Sequence, residues 1–191
     1  ETQSLYTPMW KQVYGEINGI TSRMFDEAYL NRVPWNDLLA DPTGWTPAQS
    51  SSFTYKFGSA LTLTNAAEGS TGGLAYFPKA DNWRDYVIDM EFKLDSGSFA
   101  FYTRIGDKMD SKECPAFTAG TTKNPNVLLE YGKVYSMLVS TIGTQLDVKL
   151  DGQSVYPDDI IGSKSRKGEP GIAVQAGTSM TITRLKVRLL R

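Results

Sequence analysis

One stretch constrains this chain more than any other. From Tyr86 to Leu94 every second residue is apolar (Tyr86, Ile88, Met90, Phe92, Leu94), and Asp85, Val87, Asp89, Glu91 and Lys93 fill the other register. A period of two does not match the 3.6-residue period of a helix. It places one set of side chains on each face of a β-strand. The apolar face of so long a strand must be covered by a second layer, so the chain needs at least two packed layers.

The same period recurs. Phe53–Phe57 and Leu61–Leu63 alternate on either side of Gly58-Ser59. Leu74–Phe77 follows a loop marked by Gly69, Gly72 and Gly73, and Phe99, Phe101, Thr103 and Ile105 alternate in turn. Val134–Thr141 and Leu146–Leu150 form a pair around Gly143. Asp151-Gly152 reads as a two-residue hairpin turn, because both positions tolerate positive φ. Gly171–Ala176 and Met180–Leu190 close the chain. About ten short strands with turn signals between them predict an antiparallel β-sandwich. Residues 106–126 read as a long irregular loop, and Asp158-Asp159 after Pro157 as a turn.

Residues 1–35 differ. Thr7-Pro8 is a helix start, and Trp10, Val13, Tyr14, Ile17, Ile20 and Met24 follow at helical spacing until Pro34. The division is a helical segment over 1–35 and a sandwich over 36–191. The aromatic stripe at 8–30 either packs on the sandwich or receives a protein partner. The chain opens on Glu1 with no leader-like segment, as a mature or trimmed fragment would. No apolar run is long enough for a membrane helix, so membrane contact is expected only through a segment outside this chain.

Composition removes several chemistries. There is no histidine, which excludes Ser-His-Asp and Cys-His catalysis and imidazole metal sites. The single cysteine, Cys114, permits neither an internal disulfide nor a zinc site. Residues 164–191 hold 7 basic residues and 1 acidic. However, Arg184, Lys186 and Arg188 alternate with Leu185, Val187 and Leu189, so these cations line the outer face of a strand. Nucleic acid is not expected as a partner. Asp107, Asp110 and Glu113 offer three carboxylates for calcium, but two lysines sit among them and the regular spacing of a calcium loop is missing. No cofactor is otherwise implied.

The candidate site lies on the polar register of the long strand. If strand 84–94 pairs with strand 99–105, Asp85, Asp89 and Glu91 share a face with Tyr102 and Arg104. Such a set suits a sugar, because carboxylates and arginine grip hydroxyl pairs and an aromatic ring stacks on the pyranose. A solvated face of cross-strand ion pairs is the alternative. Asp89 and Glu91 lie about 6.5–7 Å apart along the backbone, within the roughly 5–9.5 Å used by carboxylate pairs in glycosidases.

Val87-Ile88-Asp89-Met90-Glu91-Phe92 resembles the Glu-x-Asp-x-Glu strand of laminarinase-type glycoside hydrolases, with Val87 at the nucleophile position. More of the chain, about residues 36–190, resembles the bacterial 3-keto-disaccharide hydrolase family. The matching residues are Asp37-Leu38-Leu39, Gly44-Trp45, the strand Asp85–Leu94, Arg104, Leu150-Asp151-Gly152-Gln153, Gly171–Gln175 and Ile182–Val187. Glu91 and Arg104 match that family's pattern, whereas Ser98-Phe99-Ala100 stands where it has Asn-Ser-Gly. The resemblance implies a concanavalin A-like jelly roll that handles oligosaccharide or glycan, and an extracytoplasmic location (periplasmic, cell-surface or secreted) is the accompanying expectation. Three functions follow as expectations. One is a carbohydrate-recognition or sensory module of a bacterial extracytoplasmic protein. Another is a glycoside or 3-keto-disaccharide hydrolase using Glu91 and Asp89, with Arg104 holding the sugar. The third is a protein-interaction domain working through residues 8–30.

Overall fold

Thirteen strands form among the residues that the computed structural model describes, which are 32–47, 53–66, 71–76, 83–105, 116–119, 129–142, 145–160 and 167–190. They are β1 (Asn36–Asp37), β2 (Trp45–Pro47), β3 (Phe53–Phe57), β4 (Leu61–Asn65), β5 (Thr71–Tyr76), β6 (Tyr86–Ser96) and β7 (Phe99–Ile105). Then come β8 (Ala116–Ala119), β9 (Val134–Ile142), β10 (Gln145–Leu150), β11 (Gln153–Ile160), β12 (Glu169–Gln175) and β13 (Thr178–Leu189). One sheet runs β11-β10-β9-β6-β13-β4-β3, with β1 also pairing β13, and has eight strands. The other runs β2-β5-β12-β7-β8 and has five. Every pairing is antiparallel. This is the expected antiparallel sandwich.

The core is built from the period-two faces. Tyr86, Ile88, Met90, Phe92 and Leu94 of β6 are all buried, beside Met180, Ile182, Leu185 and Val187 of β13 and Met137 and Val139 of β9. From the opposite sheet come Phe99, Phe101, Ile172, Val174 and Leu74. Phe92 and Phe99 meet edge to face across the layers at 5.0 Å, and Tyr135 stacks on Phe92 at 5.8 Å. The turn at Asp151-Gly152 has φ of 48° and 80°, the paired positive values of a two-residue hairpin.

Three expectations change. The stretch 106–126 is not wholly irregular, because β8 pairs with β7 there. Asp158-Asp159 lies within β11 rather than a turn. Pro157 is tolerated because β11 is the outermost strand of its sheet among the described residues, and the β10–β11 register shifts at this point, between Tyr156 and Asp159, leaving Pro157 without a register partner. The third change matters most: β6 and β7 do not pair. Between them the chain leaves one sheet and enters the other through Gly97-Ser98. The β12–β13 connection at Gly177 crosses alongside. The Thr178 hydroxyl donates to Ser98 O at 2.8 Å, and the Ser96 hydroxyl donates to Gly177 O at 2.8 Å. Gly97 has φ 75°, and a Cβ there would lie 2.6 Å from the Thr178 Cα. Only glycine lets the two crossovers approach so closely.

The described strands all belong to a unit spanning Trp35–Arg191. The helical reading at 8–30, the carboxylates at 107–113 and Cys114 lie outside the described residues.

Candidate functional site

Because β6 and β7 belong to different sheets, the five residues expected on one face fall into three places. Asp89 and Glu91 stay together on the outer face of the eight-stranded sheet. Asp85 and Arg104 meet at one end of the sandwich. Tyr102, half-buried on β7, has Gly171 and Ala116 as its register partners and lies on the strand face opposite Phe99 and Phe101.

Arg104 is 1% exposed and Asp85 7%. The guanidinium Nη2 donates to Asp85 Oδ1 at 3.2 Å, and Nε donates to the carbonyl of Arg84 at 2.8 Å. The Arg104 backbone N–H donates to the Tyr86 hydroxyl at 2.7 Å. The backbone at Arg104 is left-handed, with φ 55°, and the β7–β12 register shifts beside it, between Glu169 and Gly171. A non-glycine residue there costs about 1–3 kcal/mol and persists only where its surroundings hold it. Here the buried fork does so. Burial pulls the Arg104 pKa below the ordinary arginine value, with Tyr86 and Asp85 pulling the other way. This cluster ties the start of β6 to the end of β7. It is not presented to solvent as a hydroxyl clamp.

The outer face of the eight-stranded sheet is different. Asp89 and Glu91 project from β6 between β9 and β13, where Leu138 and Ser136 face them from one side and Lys186 and Arg184 from the other. Arg184 holds both carboxylates. Its Nη1 donates to Glu91 Oε2 at 3.0 Å, its Nη2 donates to Asp89 Oδ1 at 3.1 Å, and its Nε lies 3.0 Å from Asp89 Oδ2. Nη2 also reaches the Ser136 hydroxyl at 3.3 Å, and the Thr183 hydroxyl donates to Glu91 Oε1 at 2.7 Å. The three charged side chains are a quarter to a third exposed. The Arg184 pKa is raised above its ordinary value, chiefly by its hydrogen bond to Asp89.

A β-bulge builds this arrangement. The β6–β13 register shifts between Ile182 and Arg184. The extra residue lets both Thr183 and Arg184 reach Glu91, while Ile182 and Leu185 remain in the core. Alternation correctly places Arg184 on the outer face, yet Arg184, Thr183 and Ser136 are site residues that sequence reasoning missed. The one signal was the break in period at Thr181-Ile182-Thr183-Arg184-Leu185. Beside the polar network, Val134 and Leu138 of β9 stand 55% and 36% exposed. Farther along β13, the Arg188 guanidinium lies 4.3 Å over the Trp35 ring. Among the described residues no cluster of three metal-ligating side chains is present.

No family model and no curated protein matches the sequence. Solved structures do match in fold. A carbohydrate-binding module of the CBM66 class from Bacillus subtilis is 14% identical with a TM-score of 0.56, over 76% of this chain and 95% of that one. A protein of unknown function with a galectin-like fold, also from Bacillus subtilis, is 11% identical with a TM-score of 0.61, over 82% and 94%. A candidate glycosyl hydrolase from Parabacteroides distasonis is 12% identical with a TM-score of 0.60, over 82% and 94%. The chain has the β-sandwich fold of these carbohydrate-binding and galectin-like proteins.

Proposed function

We propose that this protein is a carbohydrate-recognition module whose binding face is the outer surface of the eight-stranded sheet around Asp89, Glu91 and Arg184. The observation that carries the reading is the pairing of a fixed polar network with an apolar shoulder on one face. A sugar ring is amphipathic: hydroxyls project from its edge and C–H groups form its faces. Asp89 and Glu91 keep acceptor lone pairs beyond those that Arg184 uses, and Ser136 and Thr183 add hydroxyls. Arg184 fixes the carboxylates before any ligand arrives, so little side-chain entropy is lost on binding. Val134 and Leu138 offer dry contact beside them. The fold shared with a carbohydrate-binding module and a galectin-like protein agrees with this reading.

A glycan-binding module of this kind fits an extracytoplasmic setting. The hydrolase alternative relied on Glu91 working with Arg104. Those residues stand on different sheets, and Arg184 and Thr183 engage both Glu91 oxygens. Recognition is therefore the stronger reading.

The test is calorimetry of the purified chain against soluble β-1,3-glucan, β-1,4-xylan and α-mannan and their hexasaccharides, with Arg184→Met beside it. Saturable binding to one class that Arg184→Met abolishes supports the site. Binding that survives Arg184→Met and Glu91→Gln moves the site elsewhere, and hydrolysis of any of these glycans would restore the enzymatic alternative.

A further inference from the structure

Tyr131 is 61% exposed, the most exposed of the large apolar side chains among the described residues. A lone exposed aromatic residue is ordinary. What sets this one apart is how firmly it is held. Its hydroxyl donates to the carbonyl of Gly97 at 3.1 Å, at the crossover between the two sheets. The next residue, Gly132, is left-handed with φ 80°, and its N–H donates to Leu94 O at 2.8 Å. On the other side, the Glu130 N–H donates to the Tyr135 hydroxyl at 2.8 Å, and Tyr135 is itself buried against Phe92. The backbone is thus pinned before and after Tyr131, and the far end of the ring is pinned as well. Among the described residues no aromatic ring stacks on it. The Lys133 ammonium lies over Tyr135 at 4.8 Å rather than over Tyr131.

Fixing a large ring in water has a purpose in ligand binding. A ring with only two side-chain torsions, already anchored by its hydroxyl, loses little entropy when a partner covers it. Its flat apolar face matches the C–H face of a pyranose, and Gly132, lacking a side chain, leaves the approach clear, with nothing near its Cβ direction. Position supports the same conclusion. Tyr131 lies in the turn that leads into β9, the strand that carries Val134, Ser136 and Leu138.

We infer that Tyr131 is a second sugar contact at the end of the sandwich, a stacking platform for another pyranose unit of the glycan. This rests on the reading of the protein as a glycan-recognition module. The module then favours an oligosaccharide over a monosaccharide, because two separate contacts on one chain act together.

The experiment compares the wild-type chain with Tyr131→Ala, Tyr131→Phe and Arg184→Met, using whichever of the three hexasaccharides the wild type binds and the corresponding monosaccharide. Tyr131→Ala is expected to weaken hexasaccharide binding about two- to tenfold, with monosaccharide binding unchanged. Tyr131→Phe keeps the ring and retains most of the affinity. Melting temperatures separate stacking from a structural role, because an effect that works only through the Gly97 hydrogen bond would lower stability in both variants alike. Hexasaccharide binding that is lost in Arg184→Met but unchanged in Tyr131→Ala overturns this inference alone. No binding by the wild type to any of the glycans overturns it together with the reading it rests on.

Discussion

Replacing Arg104 with Met separates the two clusters that sequence reasoning had merged. Met keeps much of the side-chain volume, so little of the loss comes from a cavity. What disappears is the guanidinium, whose side chain is 2% exposed beside an Asp85 side chain 10% exposed. Asp85 is left as a buried carboxylate without that partner, and the Arg84 carbonyl loses its donor. Breaking a buried pair in this way costs about 3–5 kcal/mol. In a domain of this size about 1 kcal/mol moves the melting temperature by roughly 2–4 °C, so the variant should melt about 6–20 °C lower. Arg104→Lys should fall between the two, because an ammonium keeps the charge but cannot bridge Arg84 O and Asp85 with a planar fork. Adding Asp85→Asn to Arg104→Met should recover part of the loss, since the buried carboxylate that lost this cation no longer carries a charge. Circular-dichroism or calorimetric melts measure all four proteins. A loss below about 1 kcal/mol for Arg104→Met would refute the reasoning. It would mean that water reaches this pair, and Arg104 would return as a candidate ligand contact.

Arg184→Met should behave in the opposite way: glycan binding is lost, while stability falls by only about 1 kcal/mol or less, because the pair is a quarter to a third exposed. The raised Arg184 pKa means that the cation's contribution is complete at every pH below the ordinary arginine value and is lost only as pH rises above it. Melts across neutral pH should therefore show no step that Arg184→Met removes. Gly97→Ala should destabilise by about 1 kcal/mol or more in urea titration, since it combines a left-handed φ with a clash against the Thr178 backbone. An unchanged midpoint would show that the crossovers can separate. Phe92→Ala, at the centre of the interlayer aromatic contacts, should cost about 3–5 kcal/mol by denaturant unfolding.

Much of the fold was legible in the residues because alternation is a local property. Each of β6, β7, β9, β10 and β13 announces which of its faces is apolar, and Asp151-Gly152 announces its hairpin. Partial legibility came where the pattern is weak. β8 is four residues long, and β11 carries Pro157 and two aspartates that read as a turn. Pairing between strands is not local. The alternation of β6 and that of β7 are equally consistent with neighbouring strands in one sheet and with opposite layers of a sandwich. The crossover at Gly97, packed against Thr178, decides between them.

The candidate site divides in the same way. The sequence alone determined that Asp89 and Glu91 share the outward face of a long strand, that no histidine or disulfide takes part, and that Arg184 faces outward. Only the tertiary structure decided their company. It joined Arg184 to Asp89 and Glu91 through a bulge across a pairing that spans about half the chain. It also buried Arg104 against Asp85 in another layer. The physical reason is that a strand's period fixes the direction of each side chain, whereas its neighbours are fixed by how distant apolar faces pack together.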